Sequence, residues 1–351
     1  MKKEIIGLLA VGALVASCSS QTEESVVASE DTVSVTNCGV EVNYKVGGNW
    51  WVNDGNIISI ALAAGARDNV KWVSSVEQDR DILAAKYGAD VIDALNPDSD
   101  VYPSKEAIIA AQPDLMIAGW NYGFSESRDL TPAILAEQDI ASYLLTESCR
   151  QEGSTARGTT DPWEAVYEDL VNLGTIHGDK TVAESVVSDM KERLVELENA
   201  PQAEKAPNIF VFDSGTEAIF TSGAFGGPKA IIEAAGGKLA TDDIEDTWVE
   251  VSWEKLATES PDAFVFVDYP GQSFADKVEV LKSHPATKDL PAVKEGRFIN
   301  LSYAMWTSSA LNIDAAEHVR KGLEKFGLQP TSDIKTQLEL PKSLDGQEYF
   351  S

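Results

Sequence analysis

Basic residues, histidine and cysteine are all scarce in this 351-residue chain. Lys and Arg number 28 against 57 Asp and Glu, a formal net charge of −29. A surface of that sign excludes nucleic acid as a partner, because phosphate binding needs a basic face. It also opposes adsorption to anionic lipid and serves solubility instead. The three histidines, His177, His284 and His318, have no ligand-like spacing, so no metal site is expected and a bare metal ion is a poor candidate ligand. Catalytic signatures are missing too: no Gly-x-Ser-x-Gly elbow, no Gly-x-x-x-x-Gly-Lys phosphate loop and no His-Glu-x-x-His occur. Gly223-Ala224-Phe225-Gly226-Gly227 is not a dinucleotide fingerprint. The expectation is a protein that is not an enzyme and holds no resident cofactor.

Hydrophobic content of 43% and charged content of 24% suit a soluble chain with a large core, and the length suits about two domains. One pattern occurs twice. Ser104-Lys105-Glu106-Ala107-Ile108 is followed by Gln112-Pro113-Asp114 and the apolar run from Leu115. Ser252-Trp253-Glu254-Lys255-Leu256 is followed by Ser260-Pro261-Asp262 and the run from Ala263. Ser opens a short helix, and a carboxylate in its first turn complements the helix dipole. Pro then forces its predecessor out of the α region, and a short buried strand follows. Helix, turn and strand repeated at matched spacing predict two lobes on one plan, and therefore a cleft.

The N-terminus reads as a leader: Lys2-Lys3, then an apolar stretch Ile5 to Ala16, too short to span a bilayer as a mature helix. Its end, Leu14-Val15-Ala16-Ser17-Cys18, resembles the bacterial lipobox, which implies lipidation of Cys18 and anchoring of the exported protein on the outer face of a membrane. Ordinary secretory cleavage after Ala16 or Ser17 is the other reading. Residues 19–36, rich in Ser, Thr, Glu and Val, read as a flexible tether. Cys38 and Cys149 then remain, and an oxidising compartment predicts one disulfide between them, with two free thiols as the alternative.

Short apolar runs alternate with helical stretches, which predicts an α/β fold. Strands are expected near Ile57–Ala61, at Leu115–Ala118, Ser142–Leu145, Ile209–Phe212, Ala263–Val267 and Phe298–Leu301. Helices are expected at Lys105–Ala111, near Pro132–Gln138, from Asp161-Pro162 to about Ile176, from Asp179 to about Glu198, at Lys229–Ala235 and over about Ser308–Phe326. The resulting division is a leader (1–18), a tether (19–36), an N-terminal lobe (37–176), a connector helix (177–200), a C-terminal lobe (207–328) and a polar tail (329–351).

Glu106–Gly119, Gly226–Gly237 and Ser252–Val267, with the long helix between the lobes, resemble the class III periplasmic binding proteins. These are substrate-capturing lipoproteins of ABC importers for iron–siderophores and vitamin B12, and the likeness runs from about Asn37 to Phe326. It implies two Rossmann-like lobes joined rigidly by a single helix, with a shallow ligand cleft between them. It also implies docking of Glu106 and Glu254 against arginines of a permease dimer that works with an ATPase. The family's first strand starts Arg-Ile-Val and ends in a Pro-containing Thr-Glu turn; Gly55–Ala66 departs from this. Ligands of open α/β lobes sit beyond the carboxyl ends of the strands. That rule selects Trp120, Asn121, Tyr122, Tyr269, Tyr303 and Trp306, with Phe225 in the Gly-rich turn and Arg150 (Arg157 beside it) for positive charge. Aromatic walls suit a bulky, partly apolar ligand, expected to be a ferric siderophore-type chelate. Haem or a corrinoid is the rival ligand, and an adhesion or sensing module the rival function.

Overall fold

Trp50-Trp51-Val52-Asn53, and not the apolar run after it, forms the first strand of the first lobe. The structure, a computed structural model, describes residues 32–99 and 101–351; Cys18 and the leader lie outside them. The strand expected at Ile57–Ala61 is part of a helix, Gly55–Ala63, in which eight of nine residues are buried. A short continuous apolar run has no period that separates a buried strand from a buried helix. The close approach of the Asp79 side chain to Gly55 also favours glycine there, since a Cβ would meet Asp79 Oδ2 at 2.3 Å.

β1 (Thr32–Asn37) and β2 (Val40–Lys45) form an antiparallel hairpin, so the end of the segment expected as a tether is a strand. Its alternation of Ser or Thr with Val has the period of a half-buried strand, and Val35 points into the core. Asn37 locks the hairpin to the first lobe by donating to Leu144 O (2.7 Å) and accepting from Leu144 N (3.0 Å). Cys38 and Cys149 are disulfide-bonded beside this contact, with Cα atoms 5.3 Å apart and a sequence separation of 111. Closing a loop of that length stabilises the fold by about 5 kcal/mol in the chain-entropy account.

The first sheet contains β3 (Trp50–Asn53), β4 (Val70–Ser74), β5 (Pro97–Ser99), β6 (Leu115–Trp120), the two-residue β7 (Gly123–Phe124) and β8 (Ala141–Leu144). Its main order is β5-β4-β3-β6-β8, all parallel, with β7 against the end of β6. The second lobe contributes β9 (Asn208–Phe212), β10 (Ser214–Gly215), β11 (Ile219–Ser222), β12 (Lys238–Leu239), β13 (Trp248–Val251), β14 (Ala263–Asp268) and β15 (Phe298–Ser302). β12-β9-β14-β15 is a parallel sheet, and β10-β11-β13 is a separate antiparallel one. Strands buried on both faces read as unbroken apolar runs, as Ala263–Val267 does.

The repeated unit folds the same way twice. Ser104 Oγ accepts from Ala107 N and Ser252 Oγ from Lys255 N, both at 3.2 Å. The helices Lys105–Ala111 and Trp253–Glu259 end on left-handed residues, Gln112 (φ 48°) and Ser260 (φ 45°). Asp114 then accepts from Asn49 N, and Asp262 from Asn208 N, each at 2.8 Å. In each lobe this clamp aligns the next strand beside the lobe's first: Trp50 pairs with Leu115, and Ile209 with Ala263.

Within the segment 177–200, Gly178 ends the helix Pro162–His177 and a new helix runs Thr181–Asn199. Arg193 on the latter is buried and donates to Asp314 (2.6 Å) and Glu317 (2.7 Å) of the helix Asn312–Lys325, while Lys86 of the first lobe pairs with Asp314 at 2.7 Å. The segment 329–351 is not a polar tail. Leu338, Leu340, Leu344 and Phe350 are buried in the main core, and Ser343 hydrogen-bonds Asp81 of the first lobe. Leu338, Leu340 and Leu344 stand singly at spacings of two and four, in a segment without regular structure around them, so they match neither a strand nor a helix period.

Candidate functional site

The carboxyl ends of both parallel sheets open on a cleft of about 1010 Å³. Asp54 follows β3 and Asp213 follows its counterpart β9, so each lobe places an aspartate just after the equivalent strand end. Asp54 is wholly buried, holds φ at +76°, and accepts from Tyr303 OH (3.0 Å) and Tyr102 OH (3.4 Å). Burial raises its pKa to about 6, against these hydroxyls, which lower it. Positive φ at a side-chain-bearing residue persists only where its surroundings hold it. Asn121 does the same after β6, at φ +72°.

Four tyrosines line the cleft: Tyr102, Tyr122, Tyr269 and Tyr303. Tyr269 and Tyr303 pack with ring centroids 4.9 Å apart. Tyr122 folds back over Gly119, where a Cβ would meet its ring at 2.0 Å. Its hydroxyl has no partner at hydrogen-bonding geometry although Ser148 lies near. The opposite wall is the antiparallel sheet of the second lobe, which contributes Phe220, Trp248, Glu250 and the hairpin tip with Glu217. Phe220 and Trp248 stack at 5.9 Å and 23°.

Arg157 is a cleft arginine whose guanidinium is committed: Nη1 donates to Trp120 O (3.2 Å), Nη2 to Trp248 O (3.1 Å), and Nε lies 3.7 Å from Asp246. It therefore stitches the lobes together. Glu147 does so from beneath by accepting from Ser308 N, and burial raises its pKa to about 7. Asp79 accepts from Ala304 N at 2.9 Å, and Asn56 donates to Ser308 O at 2.9 Å. Buried polar contacts of this kind fix one relative placement of the lobes.

The structure brings Asn121, Tyr122, Tyr269 and Tyr303 to the cleft and leaves four other expected residues out of it. Trp306 is fully buried and donates from its indole to Phe266 O (2.9 Å); it belongs to the core of the second lobe. Trp120 packs on Phe124 and lies under the Arg150 guanidinium, 3.9 Å from the ring centroid. Arg150 is spent on that ring and on Glu126. Phe225 packs on Gly158, outside the lining. Proximity to a strand end does not decide which way a side chain turns. Asp213 and Tyr102 of the lining were missed, as was Asp54, which holds Tyr102 and Tyr303 from behind the cleft, although the strand-end rule reaches all three once β3, β9 and β5 are placed. The wall of β11 and β13 was missed because its strands have only four residues each.

The histidines lie apart: His177 bonds Asn69, His284 stacks on Trp253, and His318 meets Leu338 O. Among the described residues, no group of three His, Cys, Asp or Glu is arranged to hold a metal ion, and no helix is long and apolar enough to cross a membrane. Glu106 and Glu254 are exposed in the first turns of their helices.

Two α/β lobes with a pocket across their strand ends are the architecture of a ligand-binding protein. The chain belongs to the periplasmic binding protein family, whose model matches residues 58–304. A periplasmic binding protein from Veillonella parvula is similar over 84% of this chain and 98% of its own, at 23% identity and a TM-score of 0.68. An ABC-type Fe3+-hydroxamate transport protein from Saccharomonospora viridis is similar over 83% and 98%, at 20% identity and a TM-score of 0.70. The periplasmic vitamin B12 binding protein of Vibrio cholerae is similar over 80% and 99%, at 19% identity and a TM-score of 0.57. Among curated proteins, none matches the chain in sequence.

Proposed function

We propose that this protein is the substrate-binding component of an ABC importer, that it captures a ferric siderophore-type chelate in the cleft, and that it delivers the chelate to a permease dimer powered by an ATPase. The observation that carries the reading is the cleft of about 1010 Å³ with four tyrosines and the Phe220–Trp248 pair on its walls. That is the size and character of a site for a bulky, partly apolar molecule. Iron arrives inside its organic ligand, because the histidines are engaged elsewhere. Lipid chains at Cys18 hold the protein on the extracytoplasmic face of a membrane, and Glu106 and Glu254 set its register on the permease by pairing with guanidinium groups. Relatives named for Fe3+-hydroxamate, vitamin B12 and haem support the class of cargo.

Tryptophan-fluorescence titration with a ferric hydroxamate, haem and cobalamin tests the reading, with Trp248 as reporter on the wall. Saturable quenching by the ferric hydroxamate is expected. Saturation by haem or cobalamin alone moves the protein to the rival cargo, and no response to any of the three counts against transport.

A further inference from the structure

The cleft walls carry a charge pattern that narrows the cargo, provided the binding reading above holds. Glu217 at the β10–β11 hairpin tip and Glu250 on β13 are both exposed on the lining, and neither has an ion-pair partner among the described residues. Asp213, the third carboxylate of that wall, is buried, and Ser214 and the Lys277 charge act on it. The one arginine of the lining, Arg157, has its donors on two backbone carbonyls and its charge against Asp246 and Glu147. Arg150, the other cation expected here, is held by Glu126 and the Trp120 ring. The cleft thus presents two unpaired carboxylates and no free cation among the described residues. The same wall carries the stacked Phe220–Trp248 pair, and Phe220 lies directly opposite Glu250 in the β11–β13 ladder, so an apolar surface adjoins the carboxylates.

We infer that the cargo is a neutral or cationic chelate, with its cationic group seated between Glu217 and Glu250 and its apolar face on Phe220 and Trp248. An anionic chelate would bring like charge against both carboxylates and find no guanidinium free to pair with it. Across the cleft, Asp54 adds no positive charge in either protonation state. A pendant ammonium beside the Phe220 ring also gains from the ring quadrupole.

The test is a matched pair of probes, ferrioxamine B with its free ammonium and N-acetyl ferrioxamine B without it, plus the anionic catecholate ferric enterobactin. Each is titrated into the wild-type protein and the Glu217→Gln/Glu250→Gln variant, both exposed substitutions that leave the core intact. Two exposed charge pairs, each worth up to about 1 kcal/mol, predict that the ammonium form binds wild type about five- to tenfold tighter than the acetylated form. In the double variant the two forms become equal, the acetylated form keeps its affinity, and enterobactin fails to bind wild type. Equal binding of the matched pair by wild type, a preference that survives in the variant, or tight enterobactin binding overturns the charge assignment while leaving siderophore transport standing. Absence of binding by all three probes overturns both.

Discussion

The two lobes share a scaffold and differ where they meet the ligand. Each has a serine-capped helix with an exposed glutamate, a left-handed stop, an aspartate clamp on the first strand, and a central strand beside it. Each also follows its first strand with an aspartate, but the chains then diverge. After Asp54 the first lobe turns directly into the buried helix Gly55–Ala63; after Asp213 the second lobe builds the antiparallel sheet of β10, β11 and β13. The first lobe therefore offers Tyr102, the buried Tyr122 and the positive-φ turns at Asp54 and Asn121, and the second offers an exposed wall with unpaired carboxylates. The shared parts set strand order and hold the two glutamates at equivalent places, whereas the unshared parts set what is recognised.

The largest effect that sharpens this comparison separates core from cleft within the second lobe. Trp306→Ala removes a fully buried indole and leaves Phe266 O without its donor, so it should cost about 3–5 kcal/mol in urea unfolding. Tyr269→Ala, on the half-buried cleft side, should cost about 1–2 kcal/mol in the same assay, including its packing on Tyr303, and should weaken ligand binding. If the two variants lose equal stability, Trp306 is misplaced in the core.

A smaller effect tests the seam between lobes. Burial holds the folded-state pKa of Glu147 at about 7 and of Asp54 at about 6, above the ordinary values of 4.5 and 3.8. Between these limits the folded state binds more protons than the unfolded state, so their contribution to stability is full below about pH 4 and is lost as pH rises through 6 and 7. Glu147→Gln should therefore flatten the fall in stability between pH 5 and pH 8, followed by urea unfolding at each pH, by up to about 1.4 kcal/mol per unit of pKa difference. An unchanged slope would mean that Glu147 is not held neutral at the seam.

The scaffold was legible in the sequence because it is made of local signals. Ser104, Pro113 and Asp114 are read within one helix and one turn, as are Ser252, Pro261 and Asp262, and the helix bounds they imply agree with the structure. The pairing of Cys38 with Cys149 followed from counting once Cys18 was set aside. What failed depends on tertiary surroundings. Ile57–Ala61 is apolar enough for either a strand or a helix, and only the neighbouring Trp50–Asn53 strand takes the sheet position. Trp306 and Tyr303 are three residues apart after β15, yet one turns into the core and the other into the cleft. Short strands such as Ile219–Ser222 leave too little pattern to be found, and they carry the wall that distinguishes the lobes.

The measurement that bears most directly on the two-lobe account is cellular uptake of the bound chelate with Glu106→Arg, Glu254→Arg and both together, alongside ligand affinity of each purified variant. The account predicts that each single reversal lowers uptake by a similar factor, that the pair abolishes it, and that affinity is unchanged throughout. Full uptake by the double variant, or a loss of affinity that tracks the loss of uptake, would contradict it.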